Sequence, residues 1–175
     1  MNQPDRVTLE VGGASREELL ALLSERGIQL NESARTLLAH SCFEAREPER
    51  LEVQQRSLAE LGLPVGGTLP EIFAAVRARG FAPLPDDAGP YLRLAFLDQV
   101  QAPDSVLSAG RAPTGAVHVL TVPPSADHDD PKGFYLRVVD EITWLRGYRC
   151  DLEYVWPSDS IFAVRAADGP PGEGS

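Results

Sequence analysis

Residues 132–156 read KGFYLRVVDEITWLRGYRCDLEYVW. This stretch holds four basic residues, two tryptophans and three tyrosines, in a chain of 175 residues with a formal charge of −10. Both sides of Asp140-Glu141 are rich in β-branched and aromatic residues, and apolar and polar positions alternate along them. The pattern predicts a β-hairpin that reverses in a two-residue turn at Asp140-Glu141.

The predicted hairpin has two different faces. The turn places Tyr135 opposite Arg146 and Arg137 opposite Trp144. We expect one face to join the core, with Phe134, Leu136, Val138, Thr143 and Leu145. We expect the other to be exposed, with Tyr135, Arg137, Val139, Ile142, Trp144, Arg146 and Tyr148. A register slip of one residue would exchange the faces and bury Trp144.

The arginine and aromatic residues of the second face make it a candidate binding surface. A guanidinium over a ring gains about 0.5–1 kcal/mol, and Tyr, Trp and Arg are enriched at the energetic centres of interfaces. If a strand over Tyr91–Leu97 joins the sheet, it extends the face. The candidate binding residues are Tyr135, Arg137, Trp144, Arg146, Tyr148, Tyr91 and Arg93. Alternatively, the aliphatic parts of the arginine side chains only cover the sheet, and the face binds no ligand.

Helices are predicted from the signals at their ends. Two capping boxes begin helices: Ser15 with Glu18, ending at Gly27, and Thr68 with Glu71, ending at Gly80. Asn31 caps a third helix over residues 32–40, so that Gly27–Leu30 connects a helical hairpin. Ser57 with Glu60 indicates a short helical turn.

The strand pattern completes the predicted fold. The predicted strands are Val7–Val11, Leu51–Arg56, Tyr91–Leu97, Ala116–Val122, Phe134–Val139, Ile142–Arg149 and Ile161–Arg165. Because helices dominate the first half and strands the second, the sequence predicts an α+β fold. Its helical hairpin and further short helices pack on a mostly antiparallel sheet built largely from the C-terminal half. We expect one domain over residues 1–165 and a flexible tail over residues 166–175.

The composition of the chain restricts the functions to be considered. No apolar run is long enough to cross a membrane, and the first residues lack a signal peptide, so we expect a cytoplasmic protein without membrane contact. The negative charge opposes general nucleic-acid binding. Cys42 and Cys150 are too far apart in sequence for a metal-binding spacing and are expected to be buried free thiols. No cofactor motif is present.

Two further groups could carry chemistry. Asp127, His128, Asp129 and Asp130 offer ligands for a divalent cation and, with His118, could form a metal-dependent hydrolase; a solvated acidic loop and a core histidine are the alternative. His40-Ser41-Cys42 resembles half of a metal site or a Cys/His pair, and equally the packed end of a helix.

The hairpin also carries a family resemblance. Phe134-Tyr135-Leu136-Arg137, the run Trp144 to Asp151, and Val155-Trp156 resemble the C-terminal signature of an uncharacterised family of small bacterial proteins. The resemblance covers about residues 60–165, and some such proteins carry a helicase label. A nucleotide-driven helicase needs a phosphate loop in which lysine follows the last glycine, and Gly66-Gly67-Thr68 lacks it. The resemblance therefore implies no activity.

Three functions remain as hypotheses. The first is a non-enzymatic cytoplasmic protein that binds a partner protein or a small anionic ligand on the Arg/aromatic face. The second is the metal-dependent hydrolase. The third is an acidic neutraliser of a basic protein, in the manner of an immunity protein or antitoxin, for which the charge of −10 is the motive.

Overall fold

A curled, mostly antiparallel sheet of eight strands forms the centre of the fold in the described part of the chain. The computed structural model describes residues 6–44, 46–97, 99, 102, 115–124, 127, 129–150 and 152–167. Its helices are α1 (Arg16–Glu25), α2 (Glu32–Leu38), α3 (Leu69–Ala78) and α4 (Ala88–Ala95), with a 3₁₀ turn at Ser41–Phe43. Its strands are β1 (Arg6–Val11), β2 (Gln29–Leu30), β3 (Glu49–Ser57), β4 (Phe81–Ala82), β5 (Val117–Val119), β6 (Gly133–Val139), β7 (Ile142–Tyr148) and β8 (Ile161–Ala166). The predicted α+β class is confirmed.

The strands lie in the order β1-β3-β8-β5-β6-β7-β2, and β4 pairs with β8 beside this path. The β5–β8 and β2–β7 pairs are parallel, and the other pairs are antiparallel. The predicted flexible tail, residues 166–175, begins inside β8, and residues 168–175 lie outside the described residues. None of the helices in the described ranges has the length and apolar character needed to span a membrane.

The β6–β7 hairpin has the predicted turn and register. Val139 pairs with Ile142, and Tyr135 pairs with Arg146, so the chain reverses at Asp140-Glu141. Both turn residues have positive φ, at 51° and 68°, as a type I′ turn requires. Neither is glycine or asparagine, so the pairing of the strands holds a turn that its own residues disfavour.

The strain at this turn leads to a stability prediction. Glu141→Gly should be more stable than Glu141→Ala by about 0.5–1 kcal/mol, because both variants lose the side chain but only glycine adopts φ 68° without crowding. The greater freedom of glycine in the unfolded chain limits the gain. Urea unfolding of the two variants measures the difference. Equal free energies of unfolding would show that the strain at φ 68° does not exceed the entropic cost of the glycine.

The helix ends follow the predicted signals, with one addition. Ser15 and Thr68 form complete capping boxes, and the Ser57 and Glu60 hydrogen bonds close a turn that does not become a helix. Asn31 caps α2 through the Ala34 amide at 2.8 Å. Its amide group also bonds the backbone of Gly147 in both directions, at 2.9 and 3.1 Å. The predicted α1–α2 connection therefore includes strand β2 and is anchored to β7.

Both faces of the sheet are covered. One face packs against α1, α2 and α4, through residues such as Leu19, Leu37 and Leu92. The other packs against α3 and the residues around Trp156. Because a second core lies on that side, the hairpin face that the sequence predicted to be exposed is partly interior. The alternation of residues along the hairpin assigns each side chain to one of two faces, but it does not show which face is exposed to solvent.

The predicted strand Tyr91–Leu97 is wrong, because these residues belong mainly to helix α4. Ala88, Leu92 and Phe96 are buried at intervals of four, which is helical spacing. In so short a run, alternating residues fit both periods. A Cβ at Gly89 would overlap the ring of Phe134, so glycine allows α4 to lie close against β6. The similar runs Gly89–Leu94 and Gly133–Val138 thus form a helix and a strand that pack together.

Candidate functional site

The predicted binding face is only partly accessible. Tyr135, Arg137 and Tyr148 have exposed fractions of 4%, 0% and 7%, which corrects the expectation that they face solvent. The two tyrosines are covered because this side of the sheet carries the second core, and Val139, also predicted to be exposed, is buried at 8%. Trp144 and Arg146 are half-buried, and Ile142 on the same face is exposed. The accessible part of the face is therefore centred on Trp144 and Arg146.

Tyr91 and Arg93 do not extend this face, since both lie on helix α4, on the opposite side of the sheet. Arg93 is fully buried and donates to Gln99 Oε1 at 2.7 Å, to the Trp144 carbonyl at 3.0 Å and to the Phe96 carbonyl. Burial lowers the pKa of Arg93 to about 10. These bonds tie α4 to β7 and indicate a structural role.

Arg146 is held in place by two aromatic neighbours. Its guanidinium carbon lies 4.7 Å from the ring centre of Trp144. Its Nε donates to the hydroxyl of Tyr135, the residue opposite it in the hairpin, at 2.8 Å. Neither Nη1 nor Nη2 has a hydrogen-bond partner among the described residues. The two terminal nitrogens are therefore oriented and available to an external acceptor.

The acidic loop is organised around a cation of the chain itself. Lys132 is fully buried, and its Nζ donates to the carbonyl oxygen of Asp127 and, at 2.9 Å, to that of Asp130. The Asp129 amide donates to the Asp127 carboxylate at 3.0 Å. His128 lies outside the described residues. Within the described ranges, no three His, Cys, Asp or Glu side chains are grouped to hold a metal ion.

His118 lies in an aromatic cluster of the second core. Its ring contacts Tyr135, Tyr148, Trp156 and Phe162, at centroid distances between 4.8 and 5.5 Å. The side chain is 1% exposed, and Nδ1 lies 3.3 Å from the Ile161 carbonyl. Burial lowers the pKa of His118 to about 4, so the ring is neutral at pH 7. An enclosed imidazole with these contacts suits a packing role in the core.

A cleft of about 140 Å³ lies where the 3₁₀ turn meets the start of β6. Its walls are apolar at Leu37, Phe43 and Phe134 and polar at His40, Cys42, Asp86 and Thr121. Cys42 and Cys150 are both thiols, and each is half-buried rather than buried as expected. Burial, Asp86 and Asp87 raise the pKa of Cys42 to about 11. A protonated thiol is a poor nucleophile, so His40 and Cys42 do not form an activated catalytic pair.

The sequence indicated His40-Ser41-Cys42 but missed Asp86 and Thr121. These residues come from separate segments, and neither carries a motif. The only local signal is the Asp86-Asp87 pair, which reads as an ordinary loop.

Comparison with known proteins leaves the site to be interpreted from its own chemistry. A scan of family models, a search of curated proteins and a search of solved structures each give no match.

Proposed function

We propose that this protein is a non-enzymatic, cytoplasmic binding protein that captures an anionic group of a partner protein or small molecule on Arg146, stacked over Trp144. One observation carries the proposal. The guanidinium is fixed by a ring on one side and by a hydroxyl at Nε, while both terminal nitrogens lack partners among the described residues. Such a fork matches the two oxygens of a carboxylate.

Preorganisation supports this function energetically. A flexible arginine loses side-chain freedom when it binds, and that loss weakens affinity by about 0.5–1.5 kcal/mol for each immobilised side chain. In Arg146 much of this freedom is already lost on folding, because Trp144 and Tyr135 hold the side chain. The indole and the exposed Ile142 also offer apolar contact beside the fork. A ligand with a carboxylate next to an apolar group fits both features.

The charge of the chain restricts the partner. At −10 the protein repels polyanions at long range, so we expect the recognised group to be a single carboxylate or similar anion. If the ligand belongs to a protein, that partner should be neutral or basic overall. The negative charge, which suggested a neutraliser of a basic protein, would then increase the rate at which such a partner associates.

Benzoate provides a direct test, because it combines a carboxylate with an aromatic ring. Titration into ¹⁵N-labelled protein should shift the Nε–H signal of Arg146 and the indole signal of Trp144. Arg146→Lys keeps the charge but loses the fork, so we expect it to weaken binding about tenfold.

The matched control is Arg149→Lys, which changes an exposed arginine just beyond the end of the same strand and should alter the affinity less than twofold. No shift at Arg146 and Trp144 with millimolar benzoate, or equal weakening by the two variants, would reject the proposal.

A further inference from the structure

The cleft beside the 3₁₀ turn has the size and lining of a small ligand site. Its volume of about 140 Å³ is close to that of a protein cavity that accepts one benzene molecule, roughly 150 Å³. Leu37, Phe43 and Phe134 supply the apolar part of the lining, and Asp86 and Thr121 are among its polar residues. An apolar pocket with a few oriented polar groups is the usual form of a small-molecule site.

Two polar side chains of the cleft lack partners. The Asp86 carboxylate, at the exposed rim, forms no hydrogen bond or salt bridge with any residue in the described ranges. Thr121 is 4% exposed and lines the cleft, and no hydrogen bond of its hydroxyl is seen among the described residues. An unpaired carboxylate and a hydroxyl in one cleft offer two hydrogen-bond acceptors to a ligand.

The charged groups around the cleft favour a positively charged ligand. Asp87 is neutralised by Arg46, which donates to its two oxygens at 2.9 and 3.0 Å. Asp86 has no such partner among the described residues; burial and then Asp87 raise its pKa, and His40 lowers it. Both aspartates also contribute to the raised pKa of Cys42, after burial, and Arg16 opposes them. A cation beside Asp86 would relieve this repulsion, whereas an anion would add to it.

We propose that this cleft binds a small organic cation, with an ammonium group at Asp86 and an apolar body of about six to eight non-hydrogen atoms against Phe43 and Phe134. The Thr121 hydroxyl accepts a second hydrogen bond from the ammonium group. A bare metal ion does not fit, since no three His, Cys, Asp or Glu side chains of the described residues, His40, Cys42 and Asp86 included, are grouped to hold one. The site is separate from Arg146, and the proposal does not depend on anion binding there.

Benzylammonium is the probe, because it joins a charged amine to a ring of the required size. Titration of the full chain, followed by NMR at the amide of Thr121 and the methyl groups of Leu37, should give a dissociation constant on the order of 0.1–1 mM. Asp86→Asn keeps the shape and removes the charge, so binding should weaken at least tenfold. Thr121→Val should weaken it about fivefold.

Two comparisons separate charge from shape. Asp159→Asn removes the same charge from an exposed turn before β8 and should change the affinity less than twofold. Benzyl alcohol and benzoate, which share the ring, should bind the cleft at least tenfold more weakly. A melting curve confirms that each variant is folded. The proposal is overturned if benzylammonium leaves Thr121 and Leu37 unshifted, if Asp86→Asn binds as wild type does, or if benzyl alcohol binds equally well.

Discussion

Replacing Gly66 with alanine is expected to cause a severe loss of stability. Gly66 has a φ of 81°, a conformation that costs alanine about 1–2 kcal/mol. In addition, a Cβ at this position would overlap the carbonyl oxygen of Trp156, and backbone cannot move aside as a flexible side chain does. The combined loss should exceed about 4 kcal/mol, which is a large part of the stability of a typical domain.

The damage should spread because Trp156 is fixed on both sides. Its backbone pairs with Gly67 through bonds of 2.8 and 3.2 Å, and its indole packs on His118, Tyr148 and Phe162. Displacing the Trp156 carbonyl would therefore move the indole out of the second core. That core lies behind Tyr135, whose hydroxyl orients Arg146.

Gly80→Ala is the matched control for this experiment. Gly80 has nearly the same φ, 80°, but a Cβ there would meet nothing within 4 Å. It should therefore lose only the conformational term, about 1–2 kcal/mol. Urea unfolding followed by tryptophan fluorescence measures both variants. Similar losses for Gly66→Ala and Gly80→Ala would show that the overlap with Trp156 is relieved at little cost.

The features that the sequence predicts well are local ones. The capping boxes at Ser15 and Thr68, the Asn31 cap and the turn at Asp140-Glu141 each depend on residues within a few positions. A two-residue turn fixes every residue pair of its hairpin. Placing the turn at Asp140-Glu141 therefore predicted the β6–β7 register correctly, even though neither turn residue favours positive φ.

The features that the sequence misses depend on distant parts of the chain. Trp156 and helix α3 cover the hairpin face that alternation alone left open. Arg93 is buried because α4 lies against β7, where the Trp144 carbonyl accepts its hydrogen bond. No local pattern contains these contacts, and arginine is a residue type that ordinarily indicates surface.

The candidate sites divide in the same way. Trp144 and Arg146 were predicted together because alternation puts them on one face of one strand. The cleft was not predicted, since Cys42, Asp86, Thr121 and Phe134 come from four separate segments and meet only in the folded chain. Lys132 is a further case that the sequence did not predict. This lone lysine beside the acidic loop is buried, and its Nζ bonds the loop backbone.

Acidification from pH 6.5 to 4 should destabilise the protein by roughly 3 kcal/mol through His118 alone. The ordinary pKa of the residue is 6.5, and burial lowers it to about 4 in the folded chain. Above pH 6.5 the imidazole is neutral in both states, so it contributes no pH dependence. Between pH 6.5 and 4 only the unfolded chain binds the proton, and the free energy of unfolding falls as the pH falls. Below pH 4 both states are protonated and the effect levels off.

The surroundings of His118 explain why nothing offsets this loss. Its ring packs against four other aromatic rings, those of Tyr135, Tyr148, Trp156 and Phe162. The Ile161 carbonyl near Nδ1 favours the charged form, but less than burial opposes it. Hydrogen bonds to Ser57 and Thr68 lower the pKa values of Glu60 and Glu71, and any loss of stability when they are protonated is common to wild type and a His118 variant.

His118→Phe separates this residue from all other titrating groups, because phenylalanine preserves an aromatic ring without a proton to bind. Free energies of unfolding measured in urea at several values between pH 4 and 7 should fall more steeply in wild type than in the variant, by roughly 3 kcal/mol over the range. The imidazole signals of wild type should titrate near pH 4. Parallel curves for the two proteins would mean that His118 takes up its proton inside the folded core. The charged ring would then need an acceptor for Nε2, which has no partner among the described residues.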